Sequence, residues 1–155
     1  MKKTPYFPLF IDLSGKDILF VGGGSIAARR VFVLQPFAEK ITVVAPEIEE
    51  GIRALAEEGV ITWIRRPFNE EDLKGRDIVL AATDDPKLNE TIALLCRDKG
   101  IAVNASSDKT LCDFYFPGIV QQGETVIGVS ASGEDHRKAR RVRERIQEIL
   151  TEEGI

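Results

Sequence analysis

Residues 18–29 read Ile-Leu-Phe-Val-Gly-Gly-Gly-Ser-Ile-Ala-Ala-Arg, and this stretch decides the fold of the chain. Four apolar residues typical of a buried strand lead directly into Gly22-x-Gly24-x-x-Ala27 and then into a helical pattern. Gly22 permits a tight turn, Gly24 lets the backbone approach a pyrophosphate, and Ala27 lets the helix pack close to the strand. The start of the helix also offers N–H groups to the phosphates. The stretch therefore predicts a dinucleotide-binding turn rather than an ordinary structural turn.

The composition indicates a globular protein with one core of ordinary size, because the chain has 155 residues, 43% hydrophobic and 30% charged. The net charge of −4 gives no global reason to expect a nucleic-acid partner. No apolar run approaches the length of a membrane span and no signal-peptide core follows Lys3, so we expect a cytoplasmic protein with no membrane partner. Two cysteines and one histidine, His136, predict neither a disulfide framework nor a metal site. Cys96 is predicted to be a buried small hydrophobic residue.

Strand-like and helical segments alternate over residues 17–104. The predicted strands are Asp17–Val21, 41–45, 61–64, 77–82 and 101–104. The predicted helices are Ser25–Leu34, 49–58, a short capped helix at 69–73, and a longer helix that begins at 83–86 and ends near 99–100. This alternation predicts an α/β fold, a Rossmann-type doubly wound parallel sheet.

The pattern changes after Asn104. Strands at 114–120 and 124–130, joined at residues 121–123, predict a β-hairpin. One C-terminal helix follows, and a single apolar face of it is predicted from Ala139, Val142, Ile146, Ile149 and Leu150. A hairpin and one helix are too small to make their own core, so we expect them to pack on the sheet or on a second subunit.

The candidate site lies beyond the carboxyl ends of the strands, where open parallel sheets bind ligands. The residues predicted there are 22–26, 45–47, 83–85 and 104–108. Glu47 is the acid available to hold a ribose 2′-OH, although it comes slightly later than usual. No arginine stands in that loop to hold a 2′-phosphate, so the sequence favours NAD over NADP.

Two of these loops have a simpler structural interpretation as well. Thr83 and Asp84 either contact the cofactor or belong to the cap of the helix that begins near Pro86. Asp108 either takes a proton from a substrate as a hydride leaves, or only forms a turn with Ser107. Both interpretations remain open at each loop.

The stretch 137–145 carries six basic residues and one acidic residue. As a solvated helix face it would form the exposed pairs Arg140–Glu144 and Arg145–Glu148, each contributing little stability. Alternatively, the stretch would hold a polyanionic substrate. The solvated face is the default interpretation.

Five segments are informative together: 6–13 (YFPLFIDL), 21–24 (VGGG), 43–46 (VVAP), 81–85 (AATDD) and 111–117 (LCDFYFP). They resemble the precorrin-2 dehydrogenase family, which is also the N-terminal dehydrogenase and ferrochelatase part of siroheme synthase. The resemblance covers nearly the whole chain. It implies NAD-dependent oxidation of precorrin-2 to sirohydrochlorin in siroheme biosynthesis, a tetrapyrrole substrate, and a homodimer to which the hairpin region contributes.

The resemblance also implies roles for individual residues. It places NAD contacts on Ser25 and Ile26 and on Pro46 and Glu47. With the sheet-edge residues, the candidate cofactor-binding set is Gly22, Gly24, Ser25, Ile26, Pro46, Glu47, Thr83, Asp84 and Asn104. The family's acid–base aspartate lies in an Asn-x-x-Asp segment, but Ser107 stands at that position here. Asp108, one residue later, is therefore the candidate catalytic residue.

These inferences predict a two-part organisation. Residues 1–112 would be an NAD-binding Rossmann-type domain, and residues 113–155 a hairpin plus helix for dimerisation and substrate. One alternative is a bifunctional protein that also chelates iron. The other is a non-catalytic NAD-binding or sensing module. The displaced aspartate favours the module somewhat, as does the end of the given sequence at Ile155, before the helical domain that many members carry.

Overall fold

The computed structural model describes residues 6–132 and 134–154. Of these, residues 11–114 form one compact unit, and residues 6–10 with those from 115 onward form a second. The roles expected for residues 1–112 and 113–155 stay predictions.

The larger unit contains a five-stranded sheet in which every neighbouring pair of strands is parallel. Its strands are β1 (Asp17–Val21), β2 (Lys40–Val44), β3 (Thr62–Ile64), β4 (Ile78–Ala81) and β5 (Ala102–Ala105). Its helices are α1 (Ser25–Leu34), α2 (Glu50–Glu57) and α3 (Pro86–Lys99), with short 3₁₀ helices at Glu70–Leu73 and Lys109–Leu111. The strand order β3-β2-β1-β4-β5 confirms the predicted Rossmann-type sheet.

The core of this unit is built on β1, which lies between β2 and β4. Ile18, Leu19 and Phe20 are fully buried, as expected for a central parallel strand covered on both faces. Cys96 of α3 joins the same core with no exposed surface, which confirms its predicted burial. Burial raises the pKa of the Cys96 thiol to about 11, so the group is neutral and unreactive at neutral pH.

Local capping explains why the predicted start of α3 was accurate. Asp85 caps α3 by accepting hydrogen bonds from the N–H groups of Lys87 (2.9 Å) and Leu88 (3.3 Å). Gly100 ends the helix in the left-handed conformation with a φ of +69°. The strand ends were predicted less well, because pairing with the neighbouring strand sets them: Lys40 pairs with Asp17, so β2 begins one residue before the predicted 41–45.

The smaller unit contains β6 (Gly118–Gln122), β7 (Thr125–Val129) and α4 (His136–Glu153). The antiparallel hairpin is confirmed, but its strands are shorter than predicted and its turn is displaced. Gln122 pairs with Thr125, which leaves Gly123 and Glu124 as a two-residue turn instead of 121–123. Gly123 has a φ of +58°, a conformation that two-residue hairpin turns require.

Apolar side chains are exposed at both ends of this smaller unit. Val142 and Ile149, on the predicted apolar face of α4, are 41% and 37% exposed. Near the other end of the sequence, Phe7 and Phe10 are 83% and 79% exposed. Among the described residues, none of the helices combines the length and the hydropathy that a bilayer span requires.

The outer edge of β5 is covered by the segment that follows it. Val103 donates its N–H to Asp113 Oδ2 (2.9 Å) and accepts the N–H of Asp113 at its carbonyl oxygen (2.8 Å). The N–H of Ala105 lies 3.3 Å from the Sγ of Cys112. Cys112 and Asp113 thereby satisfy backbone groups at this edge that a sixth strand would otherwise pair with.

Candidate functional site

The candidate residues follow the carboxyl ends of the strands, which lie side by side. Val21 of β1 is in register with Val44 on one side and Ala81 on the other, and Ala81 is in register with Ala105. The loops after these strands therefore begin along one edge of the sheet. The strand order reverses at β1 and β4, which is the position where doubly wound sheets bind ligands.

The glycine turn after β1 uses its three glycines differently. Gly22 has a φ of +107°, and a Cβ there would lie 2.3 Å from the carbonyl oxygen of Ala82 on β4's loop. A Cβ on Gly23 would lie 2.5 Å from the carbonyl oxygen of Glu47. Gly24 has no atom within 4 Å of its Cβ position. The first two glycines are required by the protein itself, whereas the third faces open space at the sheet edge.

The start of α1 opens onto that same space. The first N–H groups of a helix have no partner within the helix, and Gly24, the N-cap residue, supplies no side chain to satisfy them. The first turn carries no acidic residue, and Ser25 and Ile26 are exposed. An exposed, uncapped helix start next to a glycine with an open Cβ position fits a pyrophosphate, which the N–H groups and the helix dipole attract.

The loop after β2 brings Pro46 and Glu47 to the surface next to this turn. The N–H of Glu49 donates to the carbonyl oxygen of Gly23 (2.9 Å), which ties the two loops together. Glu47 accepts a hydrogen bond from Arg65, with 2.9 Å between Nη2 and Oε1. The loop after β2 contains no arginine, as expected, but an arginine from another loop reaches it. Arg65 follows β3, so the adjacency of β2 and β3 in the sheet brings it to Glu47, and a search of the β2 loop alone missed it.

A buried asparagine joins the loops after β4 and β5. The Oδ1 of Asn89 accepts from the Thr83 hydroxyl (2.7 Å) and N–H (3.1 Å), and its Nδ2 lies 3.3 Å from the Ser107 hydroxyl. The side chain is fully buried although it is polar. Sequence reasoning missed Asn89, yet a signal exists: it stands on the same helical stripe as the buried Ile92 and Cys96 of α3.

Some of the other side chains of these two loops are held within the protein, and others are exposed to solvent. Thr83 is half-buried and held by Asn89, whereas Asp84 is exposed. Asn104 is buried, with its Oδ1 accepting from Arg30 (2.7 Å) and its Nδ2 donating to the Phe114 carbonyl (2.8 Å). Burial lowers the pKa of the Arg30 guanidinium, which nevertheless stays protonated. The side chain of Asn104 thus hydrogen-bonds within the protein, and its contact with a cofactor stays a prediction.

Asp108 lies on the exposed surface after β5 and caps the 3₁₀ helix Lys109–Leu111. Its Oδ1 accepts from the Thr110 hydroxyl (2.7 Å) and the Thr110 N–H (2.8 Å). These hydrogen bonds lower the pKa of Asp108, so the carboxylate is ionised at neutral pH. Ser107 points instead to Asn89, as its hydrogen-bond distance shows.

Across residues 6–132 and 134–154, no group of three or more His, Cys, Asp or Glu side chains is placed to hold a metal ion.

The chain is similar in sequence to siroheme synthases. The siroheme synthase of Nitrosococcus oceani is 34% identical over 145 residues, which cover 94% of this chain and 31% of the relative. The siroheme synthase of Actinobacillus succinogenes is 37% identical over 145 residues, covering 94% of this chain and 30% of that protein. The chain thus spans about a third of the length of these curated relatives.

A solved structure, "SirC, precorrin-2 dehydrogenase", matches 92% of this chain and 70% of its own chain, with a TM-score of 0.79 and 26% identity. The family described as "Putative NAD(P)-binding" matches residues 9–118. This match includes the glycine turn, the start of α1 and Glu47, the features whose geometry fits a dinucleotide. The chain belongs to this NAD(P)-binding family.

Proposed function

We propose that this chain is an NAD-dependent precorrin-2 dehydrogenase that forms sirohydrochlorin in siroheme biosynthesis. The observation that carries the proposal is the similarity to the SirC structure over 92% of this chain. The siroheme synthases support it, since their similarity covers 94% of this chain. We also propose a cytoplasmic location, with which the two free cysteines agree, since reducing compartments keep thiols unpaired.

The reaction requires that a hydride and a proton leave the substrate. NAD supplies the acceptor for the hydride. The start of α1 and Gly24 would bind the pyrophosphate, and Glu47 would accept a hydrogen bond from the ribose. Thr83 and Asp84 would lie against the cofactor at the β4 edge. These roles leave the proton to be taken by a group on the loop after β5.

We assign that role to Asp108. Its carboxylate is exposed and ionised, so it can accept a proton. Its lowered pKa makes the carboxylate a weak base. A bound substrate that displaces solvent from it would raise this pKa, because desolvation disfavours the charged form. Ser107 is the weaker candidate, because an unassisted hydroxyl is a poor base near neutral pH.

The Asp108→Asn variant tests this assignment. Asparagine is also a good N-cap residue, so the 3₁₀ helix should persist and the fold should survive. We expect precorrin-2 oxidation to fall by about 10²–10⁴-fold while NAD binding is retained. Ser107→Ala is the matched control and should lose much less. Wild-type turnover by Asp108→Asn would remove Asp108 from the mechanism.

A direct assay separates the proposed activity from its two alternatives. The purified chain is mixed with precorrin-2 and NAD, and the absorbance of the tetrapyrrole and of NADH is followed. Turnover supports the dehydrogenase, whereas NAD binding without turnover supports a binding or sensing module. Adding ferrous iron to the sirohydrochlorin formed then tests the bifunctional alternative, in which the chain also inserts iron.

The tetrapyrrole substrate carries eight carboxylates, and the basic stretch of α4 is one candidate to attract them. The exposed pairs expected for a solvated face are present: Arg140 to Glu144 at 2.7 Å and Arg145 to Glu148 at 3.0 Å. They favour the solvated interpretation, because each glutamate already offsets one arginine. We keep the tetrapyrrole as the substrate and assign the basic stretch no binding role.

A further inference from the structure

Three side chains and the backbone of two further residues, at the ends of β2 and β3, form one linked assembly. The indole N–H of Trp63 donates to the carbonyl oxygen of Ala45 (2.9 Å), and the N–H of Ala45 donates to the carbonyl oxygen of Ile64 (3.2 Å). The guanidinium of Arg65 lies over the Trp63 ring, 5.5 Å from its centroid. Arg65 Nη2 is 2.9 Å from Glu47 Oε1. The assembly thus holds a positive group beside the acid expected to bind the ribose.

This arrangement differs from an ordinary surface ion pair in how Arg65 is held. The side chains of Arg65 and Glu47 are 63% and 72% exposed, and a pair this exposed contributes little to stability. Stacking on Trp63, however, restricts the guanidinium to one side of the ring, and the Trp63 ring is itself fixed by its bond to Ala45. Arg65 is therefore held beside Glu47 by contacts that contribute little stability and leave both side chains accessible to a ligand.

The neighbouring arginines are directed elsewhere. Arg53 also lies over Trp63, at 5.2 Å from the centroid, but it pairs with Glu50 on α2. Arg66 forms two hydrogen bonds to Asp72. Among the described residues, Arg65 is the arginine that pairs with Glu47.

We propose that Arg65 is a specificity-determining residue for the dinucleotide, which sets how well the site accepts the 2′-phosphate of NADP relative to the 2′-OH of NAD. Glu47 accepts a hydrogen bond from the ribose hydroxyls of NAD but repels a phosphate. Arg65 offsets that repulsion and presents a planar donor pair to the phosphate when Glu47 turns away. The site then prefers NAD while still binding NADP. This inference rests on the dinucleotide site of the proposed function.

Equilibrium binding of NADH and NADPH, measured by fluorescence and calorimetry without a tetrapyrrole, tests the inference. In Arg65→Ala we expect the affinity for NADPH to fall by about tenfold or more, while the affinity for NADH changes by less than about threefold. The NADPH loss should shrink at high salt, because the groups are exposed. Arg65→Lys should restore part of the NADPH affinity. Arg53→Ala is the matched control, since it removes a similar stack on Trp63 without touching Glu47.

The results distinguish this inference from the proposed function. If Arg65→Ala lowers the two affinities equally, or leaves their ratio as in Arg53→Ala, Arg65 does not determine specificity. A shifted ratio in a chain that does not oxidise precorrin-2 upholds the inference and removes the proposed activity. A wild-type chain that binds neither dinucleotide overturns both.

Discussion

At the scale of the residue, three adjacent glycines serve three different needs. Gly22 adopts a positive φ against β4's loop, and Gly23 packs on the backbone of Glu47. Gly24 meets nothing, so the protein alone gives no reason for a glycine there. The sequence motif identifies Gly22 and Gly24 but not Gly23, because the contact with Glu47 exists only once β1 and β2 are paired.

We predict that Gly24→Val folds but binds NAD poorly. The added Cβ has no atom within 4 Å of its position, and the side chain would fill the space through which a pyrophosphate would approach the start of α1. Calorimetry with NAD measures the loss, and the thermal unfolding temperature checks the fold. Unchanged NAD affinity in a folded Gly24→Val protein would contradict the predicted pyrophosphate position.

Gly22→Ala provides the contrasting control. Its Cβ would lie 2.3 Å from a backbone oxygen, and its φ of +107° is unfavourable for alanine. This variant should lose stability, so its unfolding temperature should fall well below that of Gly24→Val.

The candidate base shows where sequence reasoning at this scale ends. Counting residues places Ser107 and Asp108 at the expected loop but does not say which side chain faces which neighbour. Their directions depend on two contacts, Ser107 with Asn89 and Asp108 with Thr110. The first of these crosses from β5's loop to α3, and the sequence alone does not reveal it.

At the scale of the element, the signals that predicted the helices are local. Asn69 and Asp72 form a capping box around the 3₁₀ helix Glu70–Leu73, in which Asp72 Oδ2 accepts the Asn69 N–H (2.8 Å). Side chains three residues apart determine such a cap, so the sequence shows it. What the sequence did not show is that Asp72 also binds Arg66 through both carboxylate oxygens, at 2.6 Å and 2.9 Å.

We predict that Asp72→Asn lowers the free energy of unfolding by about 1–2 kcal/mol near neutral pH, because it removes a nearly buried charged partner from a partly exposed arginine. The hydrogen bond from Arg66 lowers the pKa of Asp72 below that of the unfolded chain. The contribution is therefore complete above the unfolded-state pKa of about 3.9 and is lost as the pH falls through the lower folded-state pKa.

Urea unfolding of wild type and Asp72→Asn from about pH 6 to about pH 2 measures this effect. The difference between the two proteins should shrink at the acidic end. The exposed neighbour Glu71, changed to Gln, serves as the control and should show little difference throughout. A difference that stays constant with pH would mean that the Arg66 pair is not its source.

At the scale of the whole molecule, alternation of strands and helices was enough to predict the sheet, since it restricts the topologies open to a chain of this size. The sequence did not predict which loops touch. Arg65 reaches Glu47 only because β3 lies next to β2, and a strand order is a property of the assembled sheet. The sequence also left open what the smaller unit packs on, and its exposed apolar residues are consistent with a second subunit.

We predict a homodimer built on the hairpin and α4. Exposed Val142 and Ile149 would be covered by a second copy, which a hairpin and one helix need in order to bury enough apolar surface. Light scattering at micromolar concentration should give twice the 17.2 kDa mass of the chain. Val142→Glu should lower that mass, whereas Arg141→Glu, its exposed neighbour, should not.

The contact between Asp113 and Val103 also protects the edge strand β5 against edge-to-edge aggregation. An outer strand with bare N–H and C=O groups is a template on which a foreign strand can add, and such addition leads to fibres. Asp113 occupies both groups of Val103, and a carboxylate in that place carries a charge that an incoming strand would have to bury. A strand added beside Val103 would have to displace both hydrogen bonds and bury that carboxylate, so this part of the edge is protected against pairing between copies.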